Sequence, residues 1–462
     1  MALDWLLVRP ANSEGGWWTR MSTQPLGLLY LAAVLKRAGH RVRVVDGVLD
    51  RNWKNSACDA LRAARPDAIG VSLLSSHLDA VADFTGRIRR DGYDGLIVGG
   101  GPGATYADDA TLNRLDFDIV TQGEAEDTIG DLARAMDDRS GVDDVPGIRF
   151  RCDGGYVSAP ARPLRMDLDE LPMPDQEVSP LPRYFGRPSM DLMFRDPRWA
   201  SIMTSRSCFF GCTFCAQPLG KKLRERSAEN VMAELDDYVG RWGVREVQIV
   251  DDRFNSNPDH VRRVCDALME KPYRLHLVFP NGLRLDMLDD DLIDRLVRAG
   301  MDRILAPIES GSPERQKSIK KHLDLRKATA AIREMRRRGV LIRATVMLGF
   351  PDETKEEMER SIRVALDSGA HQLSIHRVIP LHGSKLRREA VRRGLGDVDS
   401  EHDYISGKFN LSAVPEKTIR RLIRWAVIRS LSPQRLLTTL RIVPRNGYTM
   451  YARVLASKLA GI

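Results

Sequence analysis

Short apolar runs alternate with amphipathic stretches along the first 137 residues of the chain. The apolar runs predict strands near residues 4–9, 41–46, 68–74, 95–99 and 117–121. The amphipathic stretches predict helices near 24–38, 55–64, 77–91, 106–115 and 125–137. Strands joined through helices form a parallel sheet with helices on both faces, as in Rossmann-like, doubly wound folds. Ligands of such sheets bind at the carboxyl ends of the strands.

The pattern changes after this region. Residues 147–158 predict a hairpin that turns at Asp153-Gly154-Gly155. Residues 160–197 then hold eight of the 24 prolines of the chain, which is too dense for regular structure. We therefore expect a linker region here.

A second alternation begins near residue 200. It predicts strands near 200–205, 246–250, 274–279, 303–308, 341–347 and 372–378. Helices are predicted near 228–240, 258–269, 288–299, 325–338 and 354–368. Six strand–helix units are two fewer than a closed eightfold barrel needs, so we expect a partial barrel that is open at one side.

The predicted fold class is thus α/β, with a Rossmann-like sheet, a partial barrel and a helical C-terminal region. The expected boundaries are 1–140 for the sheet domain, 141–195 for the hairpin and linker, 196–398 for the barrel and 399–462 for the helical region. The last region ends in a predicted amphipathic helix, 446–460.

Composition is ordinary for a globular protein, and no apolar window reaches the roughly 18 residues that a membrane helix needs. We expect a cytoplasmic protein without a transmembrane segment. The net charge of +8 is concentrated after Glu416. Such a basic stretch can attract nucleic acid or a membrane surface, but its arginines stand at helical spacing among apolar residues, and this favours the solvated face of packed helices.

Half of the six cysteines lie in one loop just after the first predicted barrel strand: Cys208, Cys212 and Cys215. Structural zinc needs four ligands, and no histidine lies between His77 and His260. Three thiolates fit a four-iron cluster better, and they leave one iron open to bind and reduce a chelating substrate. The remaining cysteines, Cys58, Cys152 and Cys265, are interpreted as buried small hydrophobic residues.

The segment CFFGCTFC, residues 208–215, resembles the CxxxCxxC signature of the radical S-adenosylmethionine (SAM) enzymes. The resemblance implies a [4Fe–4S] cluster on the three cysteines, SAM chelated to the open iron, and reductive cleavage of SAM to a 5′-deoxyadenosyl radical. It also implies SAM contacts from Phe214, Asp251, Arg284, Glu309, Ser310 and Gly349. The chain departs from the family at Met347 and Asp352, where an aliphatic residue and a glutamate are commoner. An electron donor such as a flavodoxin or ferredoxin is expected.

The first domain resembles the cobalamin-binding domain that precedes the barrel in one large radical SAM subclass. The resemblance implies cobalamin contacts from Ser72 and Leu74 after the third strand, and from Gly99, Gly100 and Gly101 after the fourth. The Asp-x-His-x-x-Gly element is absent after the first strand, so the lower face of cobalt is expected to be open, water-ligated or covered by a side chain from residues 10–24. Trp17 and Trp18 are candidates for that cover, but a role in packing between domains is favoured for them. Dinucleotide binding and loss of the cofactor remain alternatives.

The combined resemblance implies a cobalamin-dependent methyltransferase that methylates an unactivated carbon through cob(I)alamin, methylcobalamin and the deoxyadenosyl radical. Its substrate would be a small molecule or natural product. The first alternative is a radical cyclisation, rearrangement or oxidation with the same cofactors. The second is a nucleic-acid-binding protein with a structural iron–sulfur cluster.

Overall fold

The computed structural model describes residues 2–11, 23–191, 193–400 and 409–430, and beyond them only positions 452 and 456. The chain forms two compact units. The first consists of Met1–Tyr184 with Ala216–Gly220, and the second of Phe185–Cys215 with Lys221–Ile462. No helix among the described residues is both long and apolar enough to cross a membrane. Trp17, Trp18 and the predicted helix 446–460 lie outside the continuously described ranges.

The first unit is built on one sheet, which confirms the predicted Rossmann-like arrangement. Its strands are β1 (Asp4–Arg9), β2 (Arg41–Asp46), β3 (Ala68–Ser72), β4 (Leu96–Gly100), β5 (Ile119–Thr121), β6 (Ile148–Cys152) and β7 (Gly155–Ser158). The order is β2-β1-β3-β4-β5-β6-β7. Strands β1 to β5 are parallel, and the predicted hairpin, β6 and β7, extends the sheet antiparallel to β5.

Helices cover both faces of this sheet. They are α1 (Leu26–Arg37), α2 (Trp53–Ala64), α3 (Leu78–Arg90), α4 (Pro102–Thr105), α5 (Asp109–Arg114) and α6 (Glu126–Asp137). One hydrophobic cluster unites α2 and α3 with one face of the sheet, and a second unites α1 and α6 with the other. Both faces of a parallel sheet must be buried in this way, which is why its strands are almost continuously apolar.

Two short helices, α4 and α5, follow β4. The second, α5, corresponds to the helix predicted near 106–115 but is shorter, and α4 was not predicted. Asp108 causes the second to begin, because its side chain accepts a hydrogen bond from the backbone N–H of Thr111.

The second unit contains a six-stranded parallel sheet, as predicted for a partial barrel. Its strands are β8 (Trp199–Ile202), β11 (Glu246–Ile249), β12 (His276–Phe279), β13 (Met301–Glu309), β14 (Leu341–Leu348) and β15 (Gln372–Arg377), and each pairs with the next in chain order. A separate two-stranded ladder, β9 (Ser205–Arg206) with β10 (Arg224–Glu225), was not predicted. Two-residue strands carry too little periodicity to be recognised in a sequence.

The helices of this unit follow the strands. They are α7 (Ala228–Trp242), α8 (Pro258–Met269), α9 (Asp290–Arg298), α10 (Pro313–Ser318), α11 (Leu325–Arg337), α12 (Lys355–Asp367), α13 (Lys385–Arg393) and α14 (Glu416–Ser430). Local sequence explains several of their starts. Helix α12, for example, begins with a capping box in which Thr354 and Glu357 satisfy each other's backbone N–H groups.

Candidate functional site

The three clustered cysteines lie on the connection between β9 and β10. Because these strands pair antiparallel, Arg206 is opposite Arg224, and the ladder closes a loop that begins at Ser207. The strand before this ladder, β8, belongs to the six-stranded sheet. The cysteine loop, residues 207–215, therefore lies beyond the carboxyl end of the first barrel strand, as the sequence predicted.

Backbone and side-chain bonds fix both ends of the cysteine loop. Ser207 has a positive φ of 77°, and its N–H donates to Oδ2 of Asp252 over 3.1 Å. Near the other end, the N–H of Thr213 donates to the carbonyl of Ile319 over 2.9 Å, and its carbonyl accepts from the N–H of Leu386 over 2.8 Å. The loop is thus held to three separate parts of the second unit.

Cys212 and Cys215 differ in how readily their thiols ionise. Cys208 and Cys212 are partly buried and Cys215 is exposed, and all three are free of disulfides. A hydrogen bond from Cys215 lowers the pKa of Cys212 to about 6, and the positive charge of Lys321 acts in the same direction. The same bond raises the pKa of Cys215. Thiolate is the form that binds iron.

The donor set fits a cluster better than a single ion. Over the residues that the structure describes, no three His, Cys, Asp or Glu side chains form a site for one metal ion. Three thiols on one anchored loop, with cationic side chains nearby, suit three corners of an anionic iron–sulfur cluster.

Asp251 and Asp252, at the end of β11, have different surroundings. Asp251 is 2% exposed, and its carboxylate accepts bonds from Thr204 N, Thr204 Oγ1 and Ser205 Oγ at 2.6, 2.6 and 2.7 Å. Burial raises the pKa of Asp251 to about 6. Asp252 is exposed. Of the two, Asp252 has the more accessible side chain, and the carboxylate of Asp251, which was predicted to contact SAM, is occupied within the chain.

The side chains of Arg284 and Glu309 also form ion pairs within the chain. Arg284 pairs with Asp286 at 2.5 Å and donates to the carbonyls of Lys321 and His322 at 2.5 and 2.7 Å. Glu309 has a positive φ of 63° and lies 3.2 Å from Nζ of Lys321. Arg284 therefore holds the turn that brings Lys321 to Glu309 beside the cysteine loop.

The last predicted SAM contacts differ in accessibility. Ser310 is fully buried, and its Oγ hydrogen-bonds to Oγ of Ser361. Gly349 has a φ of 95°, a conformation that favours glycine. Phe214 is partly buried and packs edge-on against Phe350, with ring centroids 6.0 Å apart. Ser310 thus lies behind the surface that a ligand would meet.

Three charged residues near the site were not predicted from the sequence: Arg253, Lys321 and Glu353. Arg253 directly follows the Asp251-Asp252 pair, so its position was a usable signal. Lys321 lies in a turn whose flanking residues both have positive φ, and nothing in the sequence indicates this. Glu353 is buried and its Oε2 accepts from the N–H groups of Gly349 and Phe350 at 2.7 and 3.1 Å.

At the first unit, the predicted cobalamin residues share one sheet edge. Ser72 and Gly100 are register partners at the carboxyl ends of β3 and β4, and Gly101 follows with a φ of 89°. Leu74 is 45% exposed beside them. These residues therefore stand together where ligands of parallel sheets bind.

Packing within the sheet domain also requires the glycines of β4. A Cβ on Gly99 would come 2.4 Å from Phe117, and one on Gly100 would come 2.8 Å from Oγ1 of Thr121. From the sequence, these glycines were predicted only as cobalamin contacts. The structure adds a reason within the chain itself.

His77 lies on the same edge, in the turn before α3. Its Nδ1 is buried without a hydrogen-bond partner among the described residues, and burial lowers its pKa to about 4. A neutral, unsatisfied imidazole at this edge fits the neighbourhood of a polar ligand.

Comparison with known families agrees with both regions. The B12 binding domain matches residues 20–133, and the radical SAM superfamily matches residues 202–365.

Among curated relatives, the uncharacterized methyltransferase PH0819 of Pyrococcus horikoshii is 28% identical over 87% of this chain and 87% of its own. Cytidylyl-2-hydroxyethylphosphonate methyltransferase of Streptomyces wedmorensis is 27% identical over 85% of this chain and 82% of its own. The anaerobic magnesium-protoporphyrin IX monomethyl ester cyclase of Cereibacter sphaeroides is 24% identical over 78% of this chain and 59% of its own.

Two solved structures share the fold. The cobalamin-dependent S-adenosylmethionine radical enzyme OxsB, with aqua-cobalamin bound, aligns with a TM-score of 0.75 at 17% identity and covers 100% of this chain and 72% of its own. The radical SAM methyltransferase TsrM of Kitasatospora setae, with cobalamin and a [4Fe-4S] cluster bound, aligns with a TM-score of 0.73 at 17% identity, over 94% of this chain and 90% of its own. The chain therefore joins a B12-binding domain to a radical SAM domain, and the protein is a cobalamin-dependent radical SAM enzyme whose cofactors are a [4Fe–4S] cluster, SAM and cobalamin.

Proposed function

We propose that the protein is a methyltransferase that methylates an unactivated carbon of a small molecule of the natural-product type. Two relatives that span more than 80% of both chains are named methyltransferases, and this is the observation that carries the proposal. A flavodoxin or ferredoxin is the proposed electron donor.

Cys208, Cys212 and Cys215 are the proposed cluster ligands. When bound, the cluster supplies the electron that cleaves SAM, and cobalamin carries the methyl group. The chain's own contribution is to favour ionisation of Cys212 and to hold the cysteine loop in place. The low pKa of Cys212 and the anchoring of the loop at Ser207 and Thr213 both support this role.

SAM is proposed to bind beside this loop, at the carboxyl ends of β11 to β14. Asp252 is the proposed partner of its amino group, since the carboxylate of Asp251 is occupied by Thr204 and Ser205. Glu309 remains a proposed ribose contact. Arg284 is proposed to act indirectly, because its donors already hold the turn at Lys321 and His322.

Further SAM contacts are proposed at Phe214 and Gly349, which lie near the same edge. Ser310 is proposed to support the site from behind through its bond to Ser361.

Cobalamin is proposed to bind at the edge formed by Ser72, Leu74 and Gly99 to Gly101. The side-by-side register of Ser72 and Gly100 supports this proposal. His77 joins the predicted residues there, because its buried Nδ1 lacks a partner among the described residues.

A radical cyclisation without net methyl transfer is the second candidate. The similarity to the magnesium-protoporphyrin IX monomethyl ester cyclase favours it, although this chain spans only 59% of that relative.

Analysis of SAM products separates the two candidates. The full-length protein, loaded anaerobically with iron, sulfide and cobalamin, is incubated with a reductant, SAM and candidate substrates. Methyl transfer yields S-adenosylhomocysteine together with 5′-deoxyadenosine, whereas the cyclase candidate yields 5′-deoxyadenosine alone. The second result would contradict the methyltransferase proposal.

Cys212→Ala tests the proposed cluster ligands in the same experiment. Cys265→Ala is the matched control, because it also removes a thiol but Cys265 is buried in α8, away from the loop. Cys212→Ala should lose iron and deoxyadenosine formation while it retains cobalamin. Cys265→Ala should retain both cofactors. A normal cluster in Cys212→Ala would contradict the proposed ligands.

A further inference from the structure

Arg253 is a buried arginine with an unsatisfied guanidinium. It is 7% exposed, and its Nε donates to Oγ of Ser256 over 3.1 Å. Its Nη2 is buried and has no hydrogen-bond partner among the residues that the structure describes. A buried charge without a counter-charge destabilises the folded protein, so a partner for this guanidinium is expected.

The neighbouring cations are paired, which sets Arg253 apart. Arg284 lies 2.5 Å from Asp286, and Lys321 lies 3.2 Å from Glu309. Within the described part of the chain, Arg253 forms no comparable ion pair. Its positive charge is therefore available to an anion that the chain does not itself provide.

Aromatic contacts hold Arg253 against the cysteine loop. Its guanidinium carbon lies 3.5 Å from the ring centre of Phe210 and 5.3 Å from that of Phe209, and the two rings stack 4.6 Å apart. These phenylalanines separate Cys208 from Gly211 and Cys212 in the chain. Arg253 also interacts electrostatically with Cys208 and Cys212. The cation is thus fixed beside the first two thiols.

Building on the cluster ligands of the proposed function, we propose that Arg253 is a positioning residue for electron transfer, whose positive charge faces the iron–sulfur cluster and raises the cluster's reduction potential. The physical reason is electrostatic. Reduction adds one electron to an already anionic, thiolate-bound cluster, and a nearby cation stabilises the reduced state more than the oxidised state. Burial strengthens this effect because less water screens it.

The test is the midpoint potential of the cluster, measured by a redox titration followed by electron paramagnetic resonance in the full-length, anaerobically reconstituted protein. Arg253→Gln removes the charge and should shift the midpoint to a more negative potential. Arg253→Lys keeps the charge and should remain close to the unmodified protein. Iron and sulfide content is measured for each variant.

Ser256→Asp provides an independent variant. It leaves Arg253 in place but puts a carboxylate beside Nε, so the neutralised cation should again give a more negative midpoint. Arg241→Gln is the matched control, because Arg241 also stacks on an aromatic ring, 4.9 Å from Trp242, but lies in the last turn of α7. Its midpoint should not change.

Several outcomes would overturn the inference. An unchanged midpoint in Arg253→Gln would do so, as would an equal shift in Arg253→Lys, since the latter would assign the effect to stacking rather than to charge. If Arg253→Gln does not take up iron, an unchanged midpoint in Ser256→Asp decides against the inference.

Failure of the proposed function gives a different result. Retention of the cluster in Cys212→Ala would contradict the ligand assignment, and the absence of methyl transfer would contradict the reaction. Neither result alters the sign of the shift expected at Arg253.

Discussion

Asp251 and Asp252 are adjacent carboxylates beside the cysteine loop, and they differ in burial and in hydrogen-bond partners. Asp251 accepts three hydrogen bonds from residues just before the cysteine loop, while Asp252 is exposed and accepts one from Ser207. Both residues lie just beyond the last residue of β11, Ile249. Asp251 therefore supports the loop from a buried position, whereas Asp252 bonds the loop at Ser207 and also meets solvent.

Alanine at each position should separate these roles. Asp251→Ala leaves buried donors of Thr204 and Ser205 unsatisfied and should lower the unfolding free energy by about 2–4 kcal/mol. Asp252→Ala should change it by less than about 1 kcal/mol but weaken SAM binding, measured as the SAM concentration that alters the spectrum of the reduced cluster. Equal loss of stability in both variants would contradict this assignment.

Glu353 is a second buried carboxylate, and it makes stability depend on pH. It is 2% exposed, and burial raises its pKa from 4.5 to about 7. Between these two values the folded protein binds a proton that the unfolded chain has released. The contribution of Glu353 is therefore present at low pH and is lost as the pH rises to about 7.

Glu353→Gln should remove this dependence. Relative to the variant, the unmodified protein should lose up to about 3 kcal/mol of unfolding free energy between pH 4.5 and pH 7.5. Chemical unfolding at several pH values checks this. Glu356→Gln, at an exposed position of the same helix start, is the control and should preserve the slope. Parallel pH profiles for Glu353→Gln and the unmodified protein would refute the prediction.

At the scale of elements, strands and long helices were predictable, because they carry the apolar periodicity of a buried sheet and of amphipathic helices. The bounds of β1 and β2 and of α8 matched the expected ranges. Elements with little periodicity were not predictable. The two-residue strands β9 and β10 depend on pairing across the cysteine loop, and the break between α4 and α5 depends on one cap, Asp108.

The site followed the same division. The cysteine loop could be located because its spacing is visible in the sequence. The hydrogen bonds of Asp251, Arg284 and Ser310 could not be predicted, because each joins residues distant in the chain. The partner residues Lys321 and Ser361 have no sequence signature.

The end of β4 gives a test at this scale. Gly99→Ala would bring a Cβ within 2.4 Å of the Phe117 ring, and should lower stability by about 1–3 kcal/mol through overpacking. Phe117→Leu alone should also be destabilising. Together the two changes should cost less than their sum, because the smaller side chain relieves the contact. Additive losses in thermal unfolding would show that Gly99 is constrained by something other than Phe117.

At the scale of the whole molecule, the second unit has a buried ion network and a cysteine loop near different ends of its strands. An ion network joins Arg303 and Arg343 to Asp191, and Arg303 also bonds Glu246, at 2.5–2.6 Å. These strand residues lie near the starts of β11, β13 and β14, whereas the cysteine loop follows a strand end. Asp191 ties the segment before β8 into this network.

Arg303→Met should test this separation. It leaves Asp191 and Glu246 without their shared cation and should cost about 3–5 kcal/mol of unfolding free energy. The folded variant should still bind a normal amount of iron, because the network is remote from the cysteine loop. Arg274→Met, at an exposed position, should change stability by less than about 0.5 kcal/mol. Loss of iron at temperatures where the variant remains folded would disprove the separation.

The peptide bonds of Thr213 have a wider consequence. Its N–H and its carbonyl both pair with backbone groups, those of Ile319 and Leu386. Hydrogen bonds between main-chain groups do not depend on which side chain the residue carries. A library randomised at codon 213 should therefore yield cluster-loading proteins for most amino acids, and proline should fail because it has no N–H to donate.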